Sequence, residues 1–462
     1  PPRSTLFPYT TLFRSRSSTR KPAPAVPRLP STASRQIARF AAVLRKDIRR
    51  IVRSHPRALD LLDVYPGVLC ALAIGHGGYA AGEAALRAVE SGAPLRSVAD
   101  ALALPMWLRR LPPEAFCGDL SGLPADEPFG RRIVPRLPQR PAEAADWLAA
   151  VRFASSSAGS EFALWVVRHR LHGGVASRAD RLAVLSAYAW HSRHERSGRA
   201  SELAWSRWRP EMAPDTAICA AKSWFNRLLL CARLPCDRSL DPWLEPGTVE
   251  GLEFVPLTDS AAVLDEARAM NNCTDQYAGA LGFGRCRLFS VRRDGHHVAT
   301  LEVVPHTRES GVLTIGQLKG PCNAPAPLTV WQPALRWLAS QDRLLQSTYG
   351  ARPLPTDAGI WHELWTPYRS SCGGAPWIPA SPEASALADI EGGLAALARD
   401  ANIRSWLFVW SSPGSPRLSA RRNGGSGRTF GWHRRRLGCG RDCQAAVAML
   451  SLCRAQESCS HR

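Results

Sequence analysis

Three side chains in the second half of the chain could take part in covalent or acid–base chemistry: Cys273, His297 and Glu302. A cysteine is a nucleophile only as its thiolate, and a nearby histidine can act as the base that forms it. Cys273 directly follows a predicted helix, and the negative end of a helix dipole raises the pKa of a thiol. Two alternatives therefore stay open: a catalytic cysteine helped by a histidine, and an inert thiol that packs.

A second group of polar residues lies in a stretch that is otherwise rich in Val, Leu and Ile. Thr300 and Glu302 alternate along one predicted strand, so their side chains point to the same face. A buried carboxylate needs partners, and those expected for Glu302 are Gln317, Lys319 and Arg292. The predicted binding residues are Tyr277, Arg292, Thr300, Glu302, Gln317, Lys319 and Asn323. These side chains would form either a ligand site or a network that only stabilises the fold.

Short elements within residues 251–341 are predicted to position these side chains. Asp259 or Ser260 is a suitable N-cap for the first helix. Asp294-Gly295 separates two β-rich runs, and this dipeptide is a strong hairpin signal. The predicted elements are a helix over 260–270, strands over 287–292, 296–304 and 312–318, and a helix over 329–340. Together they predict a compact antiparallel α+β module.

Residues 270–327 carry short motifs in a fixed order. The motifs are Met270-Asn271-Asn272-Cys273, Ser290-Val291-Arg292, Thr300-Leu301-Glu302, and Gln317-Leu318-Lys319-Gly320 followed by Asn323. Their order and spacing resemble the PcfJ-like family of mobile-element proteins. Many members have His before the Cys, where this chain has Asn272. The resemblance implies an accessory protein of plasmid or conjugative biology, and it implies no defined reaction.

The composition of the remaining sequence changes along the chain and indicates separate regions. Apolar residues at helical spacing predict a helical region over 40–234. Residues 1–39 contain a stretch that resembles translated sequencing adaptor, so they are expected to be disordered and non-native. A linker is expected over 234–251, and a poorly ordered tail over 342–462 with one helix near 382–400. The predicted fold class is α+β, mainly α: a helical N-terminal region followed by a small antiparallel-sheet α+β module.

The net charge of +20 points to nucleic acid as a partner. Nearly all of it comes from arginine, because lysine occurs only at positions 21, 46, 222 and 319, and such a ratio is also typical of a GC-rich genome. Residues 94–111 could form a helix-turn-helix in which Arg109 and Arg110 face a duplex. A short helical hairpin inside a bundle is the alternative explanation of that segment.

Other features limit the functional classes. The 13 cysteines lack framework spacing, which indicates reduced thiols and a cytoplasmic protein. No apolar run is long enough for a membrane span, and no cofactor motif occurs. The tail contains candidate zinc ligands at irregular spacing, so no metal is expected: Cys439, Cys443, Cys453, Cys459 and His461. The leading hypothesis is an accessory protein that binds nucleic acid or a partner protein. The alternatives are an enzyme that uses Cys273, Glu302 and Gln317, and a purely structural interaction module.

Overall fold

The computed structural model describes most of the chain up to residue 399, and all described residues fall within one compact unit, Pro1–Val409. The described residues are 29–171, 182–235, 239–306, 311–342, 354–373, 377–379 and 392–399. The candidate zinc ligands in the tail, four cysteines and one histidine, therefore lie outside the described residues. Among the described helices, none combines the length and apolar character that a bilayer crossing requires.

Helices form the first part of the structure, as predicted. They are α1 (Ser31–Ala38), α2 (Arg45–Ser54), α3 (Leu61–Val64), α4 (Pro66–Ile74), α5 (Gly78–Glu90), α6 (Leu95–Ala101), α7 (Glu127–Ile133), α8 (Ala144–Ala158), α9 (Ser160–Arg168), α10 (Ala183–His191), α11 (Arg199–Glu202) and α12 (Pro214–Arg233). Helix α12 begins with Pro214 at its first position, which suits the missing N–H of proline. Its stripe of Ile218, Ala221, Phe225 and Leu228 is buried, and this confirms the predicted amphipathic pattern.

The second part is an antiparallel sheet with flanking helices. Its elements are β1 (Gly247–Val249), β2 (Leu252–Pro256), α13 (Ser260–Met270), α14 (Ala278–Gly282), β3 (Arg287–Arg293), β4 (His296–Pro305), β5 (Leu313–Lys319), α15 (Leu328–Ala339) and α16 (Ala358–Ser371). The strand order is β1-β2-β3-β4-β5. The α+β, mainly α fold class is thus confirmed, with the helical region ahead of the sheet.

The hairpin predicted at Asp294-Gly295 joins β3 to β4. Asp294 has φ 51° and Gly295 has φ 76°, which is the left-handed pair that a tight hairpin requires. The side chain of Asp259 accepts a hydrogen bond from the Ala262 N–H at 2.9 Å, so the predicted N-cap of α13 is also confirmed.

Strands β1 and β2 are not among the predicted strands: β1 lies within the predicted linker, and β2 lies at the start of the predicted module. They pair through a tight turn at Glu250 and Gly251, which have φ 52° and φ 72°. Strand β1 is only three residues long and follows Pro246, so it carries too little alternation to reveal a strand. The sheet formed by the described residues consequently has five strands where the sequence predicted three.

The two faces of the sheet pack against different partners. One face carries Ala299, Leu301 and Val303 and is covered by α15, whose Trp337 ring stacks on Phe254 at a centroid distance of 4.6 Å. The opposite face lies towards α13 and α12, where Leu288 joins the same hydrophobic core as the N-terminal helices. Polar residues that alternate with the apolar ones therefore point towards the helical region.

Two predicted boundaries need correction. Residues 31–38, assigned to a disordered stretch, form α1, because Ala33 and Ile37 are one turn apart and both are buried. Helix α16 lies within the supposed tail. Its apolar residues recur every three or four positions and are buried: Trp361, Leu364, Trp365 and Tyr368. Of the helix predicted near 382–400, residues 392–399 are helical and 382–391 lie outside the described residues.

The helix-turn-helix hypothesis for residues 94–111 is wrong. Helix α6 is present, but the second segment is a single 3-10 turn, Met106–Arg110. Trp107 and Leu108 anchor this turn in the core, and the indole N–H of Trp107 donates to the carbonyl oxygen of Pro124 at 2.9 Å. A single 3-10 turn fixed in the core by two of its residues provides no recognition helix for a major groove, so the alternative of a short helical hairpin inside the bundle holds.

Candidate functional site

A small polar cleft, which we call the β4–β5 cleft, opens on the helical side of the sheet. Its lining residues come from the end of α13, from the segment before α14, from β3, β4 and β5, and from the loop after β5: Asn272, Cys273, Thr274, Tyr277, Leu288, Thr300, Glu302, Gln317, Lys319 and Asn323. Seven of the nine predicted site residues line it, namely Cys273, Tyr277, Thr300, Glu302, Gln317, Lys319 and Asn323. The cavity volume is about 30 Å³, which is room for only a few water molecules.

Strand register places the polar residues next to each other. Thr300 is opposite Lys319, and Glu302 is opposite Gln317, in the antiparallel pair of β4 and β5. The register shifts just after Glu302, and Gly316 fits this irregularity. A side chain at Gly316 would bring its Cβ 3.0 Å from Val304 Cγ1 and 3.2 Å from Glu302 Oε2. Glycine at position 316 therefore lets the backbone approach the carboxyl group closely.

Glu302 is a buried carboxyl group at the cleft, with only 5% of the residue exposed. Burial raises its pKa from the ordinary range to about 7, while hydrogen bonds with the side chains of Gln317 and Cys286 act in the opposite direction. Among the described residues, no Lys, Arg or His forms an ion pair with it. Of the partners predicted for Glu302, only Gln317 is confirmed.

Cys273 lies in the cleft, but its setting does not favour a thiolate. Burial raises the pKa of the thiol, and the charge of Asp275 raises it further. The thiol donates to Asn323 Oδ1 at 3.6 Å, and His297, the base proposed for it, does not line the cleft. The packed thiol is the alternative that this geometry favours.

His297 and Arg292 instead belong to a hydrogen-bonded network behind the cleft. His297 Nδ1 lies 2.6 Å from Glu266 Oε2 and 3.2 Å from Ser290 Oγ. Arg292 Nε–H donates to Ser290 Oγ at 3.1 Å. The predicted pairing of Arg292 with Glu302 is thus wrong, because the register of β3 and β4 places Arg292 opposite His297 and Glu302 opposite Leu288, four positions away along β3.

Thr300 and Asn272 connect this network to the cleft. The Thr300 hydroxyl donates to Glu266 Oε1 at 2.5 Å, and the Asn272 side-chain amide donates to Thr300 Oγ1 at 2.9 Å. Asn272 Oδ1 in turn accepts from the backbone N–H and the hydroxyl of Thr274. The residue that replaces the expected histidine therefore has a structural role here, in fixing the chain directly before and after Cys273.

A buried ion pair supports the floor of the site. Arg227 of α12 donates to Asp275 Oδ2 at 2.7 Å, and both side chains are 5% exposed. The Arg227 guanidinium also donates to the carbonyl oxygen of Leu203 and lies 4.1 Å from the centroid of the Trp205 ring. This ion pair ties the segment that carries Cys273 and Tyr277 to the helical region.

Several residues of the site were missed from the sequence. Glu266, Asn272, Asp275, Cys286 and Arg227 all contact predicted residues or each other. For Glu266 a signal existed, because it falls on the same stripe of α13 as the buried Val263, Ala267 and Met270. A carboxylate within an apolar stripe indicates a buried partner across the helix interface. The partner of Arg227 carries no comparable local signal.

Comparison with known proteins gives no further identification: no family model, no curated protein and no solved structure matches the chain. The resemblance to the PcfJ-like family stays a prediction that rests on the motif residues. Among the described residues, no group of His, Cys, Asp and Glu is arranged to hold a metal ion.

Proposed function

We propose that this chain is a PcfJ-like accessory protein of plasmid or mobile-element biology that binds nucleic acid through the β4–β5 cleft and the surface around it. A partner protein would be the other macromolecule compatible with an accessory role. The charge of the chain favours nucleic acid, because a net charge of +20 attracts a polyanion at long range.

The observation that carries this proposal is the convergence of the motif residues. Cys273 and Asn323 are fifty positions apart, yet their side chains are in contact at 3.6 Å. Thr300, Glu302 and Gln317 line the same cleft. Residues that serve only to fill a core are normally apolar, whereas this group is polar, lines a cleft and is built on paired strands. Such an arrangement supports a binding site.

Cationic groups occur both in the cleft and beside an exposed aromatic ring outside its lining. Lys319 lines the cleft itself. The exposed ring of Phe283, which follows α14, has the guanidinium groups of Arg285 and Arg233 at 5.0 Å and 5.8 Å from its centroid. Exposed aromatic rings flanked by arginines are typical of surfaces that bind single-stranded nucleic acid.

An enzyme is a second candidate, favoured by one observation. A carboxyl group whose pKa is about 7 can both give and accept a proton near neutral pH, and Glu302 is such a group. A cysteine nucleophile is not favoured, since the pKa of Cys273 is raised. The binding proposal needs only the hydrogen-bonding capacity of the cleft, whereas the enzyme also needs a substrate that fits a cavity of about 30 Å³.

The test is oligonucleotide binding by the full chain, measured by fluorescence anisotropy with single-stranded and duplex probes. The proposal expects binding at about 50 mM salt that weakens steeply as salt rises, because each neutralised phosphate releases counterions. Absence of binding to every probe at that salt concentration would reject the proposal, and the basic composition would then reflect the genome.

A further inference from the structure

We infer that the β4–β5 cleft takes the Watson–Crick edge of a single unpaired guanine: the Glu302 carboxylate accepts from N1–H and the N2 amino group, and a donor at the cleft mouth meets O6. This inference rests on the proposed nucleic-acid function and specifies what the cleft recognises. Guanine can be presented by DNA or by RNA, and the shared chemistry is the base edge.

Glu302 has hydrogen-bonding capacity that its neighbours do not use. An ionised carboxylate has about four acceptor positions, and the side chains of Gln317 and Cys286 fill two of them. Among the described residues, no cation completes the set. A nearly buried carboxylate without a counter-charge is costly, so a ligand that brings two donors to the open side would stabilise it.

The donors and acceptors on the Watson–Crick edge distinguish guanine from the other bases. Guanine presents two neighbouring donors, N1–H and the N2 amino group, beside the acceptor O6. Adenine and cytosine each present one amino group beside an acceptor, and uracil or thymine presents one N–H between two carbonyl groups. Only guanine therefore matches a carboxylate with two open acceptor positions and a donor to one side.

Two side chains of the cleft can supply the donor beside Glu302. Lys319 and Asn323 line the same cleft, and an ammonium group or a side-chain amide can donate to a carbonyl oxygen such as O6. The guanidinium of a partner protein's arginine would also satisfy Glu302. It has no acceptor, however, and it would be repelled by the Lys319 ammonium. The mixed donor and acceptor character of the cleft thus favours a base over an arginine.

The size of the cleft limits how much of a base can enter, and the paired state of the base determines whether its edge is available. The cleft has room for only a few water-sized groups, so we expect it to take the polar edge of a base and to leave the ring system outside. In a duplex that edge is already paired, so recognition through it requires a single strand, a loop or an extruded base.

Recognition of guanine by Glu302 also predicts how the affinity for guanine changes with pH. Guanine needs the ionised carboxylate, and the pKa of free Glu302 is about 7. The ionised fraction, and with it the affinity for guanine, should rise by about tenfold between about pH 6 and about pH 8. Protonation of histidines gives the opposite sign, since added positive charge strengthens phosphate binding at low pH.

The experiment uses the full chain and pyrimidine oligonucleotides of about 12 nucleotides, made as DNA and as RNA, with one central purine. The purine is guanine, 7-deazaguanine, inosine or adenine. Guanine and 7-deazaguanine share the Watson–Crick edge and should bind equally, whereas inosine lacks the N2 amino group. We expect inosine and adenine to bind about fivefold or more weakly, and Glu302→Gln to remove both the guanine preference and the rise with pH.

The matched control is Asp294→Asn, which makes the same acid-to-amide change at the exposed turn of the hairpin and should keep preference and pH dependence. Equal binding of guanine and inosine by the wild-type chain, or an affinity that falls as pH rises, overturns this inference while leaving nucleic-acid binding in place. Binding of an arginine-containing peptide with no binding of any oligonucleotide overturns both proposals and indicates a protein partner.

Discussion

Glu302 and Gln317 face each other across β4 and β5, and the Gln317 amide is hydrogen-bonded to a carboxyl group that is almost entirely removed from solvent. This pair joins the two strands at the point where the register shifts and Gly316 allows close approach. Because burial raises the pKa of Glu302 to about 7, its protonation state changes near neutral pH. Stability and binding should both depend on that change.

The contribution of Glu302 to the stability of the wild-type chain should fall as pH rises from about 4.5 to about 7. The folded-state pKa of Glu302 lies above its unfolded value, so the folded state binds the extra proton in this window and its advantage is lost as pH rises through 7. The contribution is on the order of 3 kcal/mol. Urea unfolding of wild type and Glu302→Gln across this range measures it, and the difference between the two chains should move in favour of the variant at high pH. A difference that does not change with pH contradicts the assignment.

The carboxyl–amide pair should matter more than the thiol. Gln317→Ala leaves a buried carboxyl group without one of its donors, which costs about 1–3 kcal/mol, and Glu302→Ala should weaken oligonucleotide binding as well as stability. Cys273→Ser exchanges a packed thiol for a hydroxyl of similar size and should change both quantities little. Thermal melting measures the stability of the three variants, and anisotropy titrations measure their oligonucleotide binding. Loss of binding in Cys273→Ser with the fold intact, together with no effect of Glu302→Ala and Gln317→Ala, would contradict this prediction. The cysteine-based enzyme would then become the leading hypothesis.

Replacing only one partner of the Arg227–Asp275 ion pair should strongly lower the stability of the chain. Both groups are 5% exposed at a separation of 2.7 Å, so Asp275→Asn leaves a buried guanidinium without its counter-charge, at a cost of about 3–5 kcal/mol. The comparison is Asp265→Asn on the exposed side of α13, where Asp265 lies 3.7 Å from His297 with its side chain 70% exposed. That change should cost less than about 1 kcal/mol. Equal losses of stability in the two variants would show that the buried pair does not hold the site.

Helix α16 should be part of the stable core. Trp365 has no exposed surface, and its ring lies 5.6 Å from that of Trp224 on α12. Trp365→Ala should therefore destabilise the chain by about 3–5 kcal/mol. Leu354→Ala, at a residue that is 38% exposed, is the control and should have a small effect. Denaturant unfolding followed by tryptophan fluorescence gives the free energy of unfolding of both variants. An unchanged free energy of unfolding in Trp365→Ala would mean that α16 does not pack as described.

Local signals in the sequence predicted the elements that carry them. The Asp294-Gly295 hairpin, the Asp259 cap and the alternation of Thr300 and Glu302 each depend on neighbouring residues alone, and each is present in the structure. Strand register then brought Gln317 opposite Glu302, as alternation along two adjacent strands suggested.

What could not be predicted depends on contacts between distant segments. The ion pair of Arg227 with Asp275 joins residues 48 positions apart, and neither residue has a neighbour that indicates the other. The three residues of β1 become a strand only because β2 supplies their hydrogen bonds. The pKa of Glu302 likewise follows from burial by the assembled fold.

The most direct test of the central claim compares two charge-equivalent variants in oligonucleotide binding as a function of salt. Lys319 lines the β4–β5 cleft, whereas Lys46 is exposed on α2 in the N-terminal region. Both Lys319→Gln and Lys46→Gln remove one positive charge. If nucleic acid binds at the cleft, Lys319→Gln should lower the affinity of the full chain at every salt concentration, and Lys46→Gln should leave the affinity unchanged. Equal effects of the two substitutions, or no effect of Lys319→Gln, would contradict binding at the cleft.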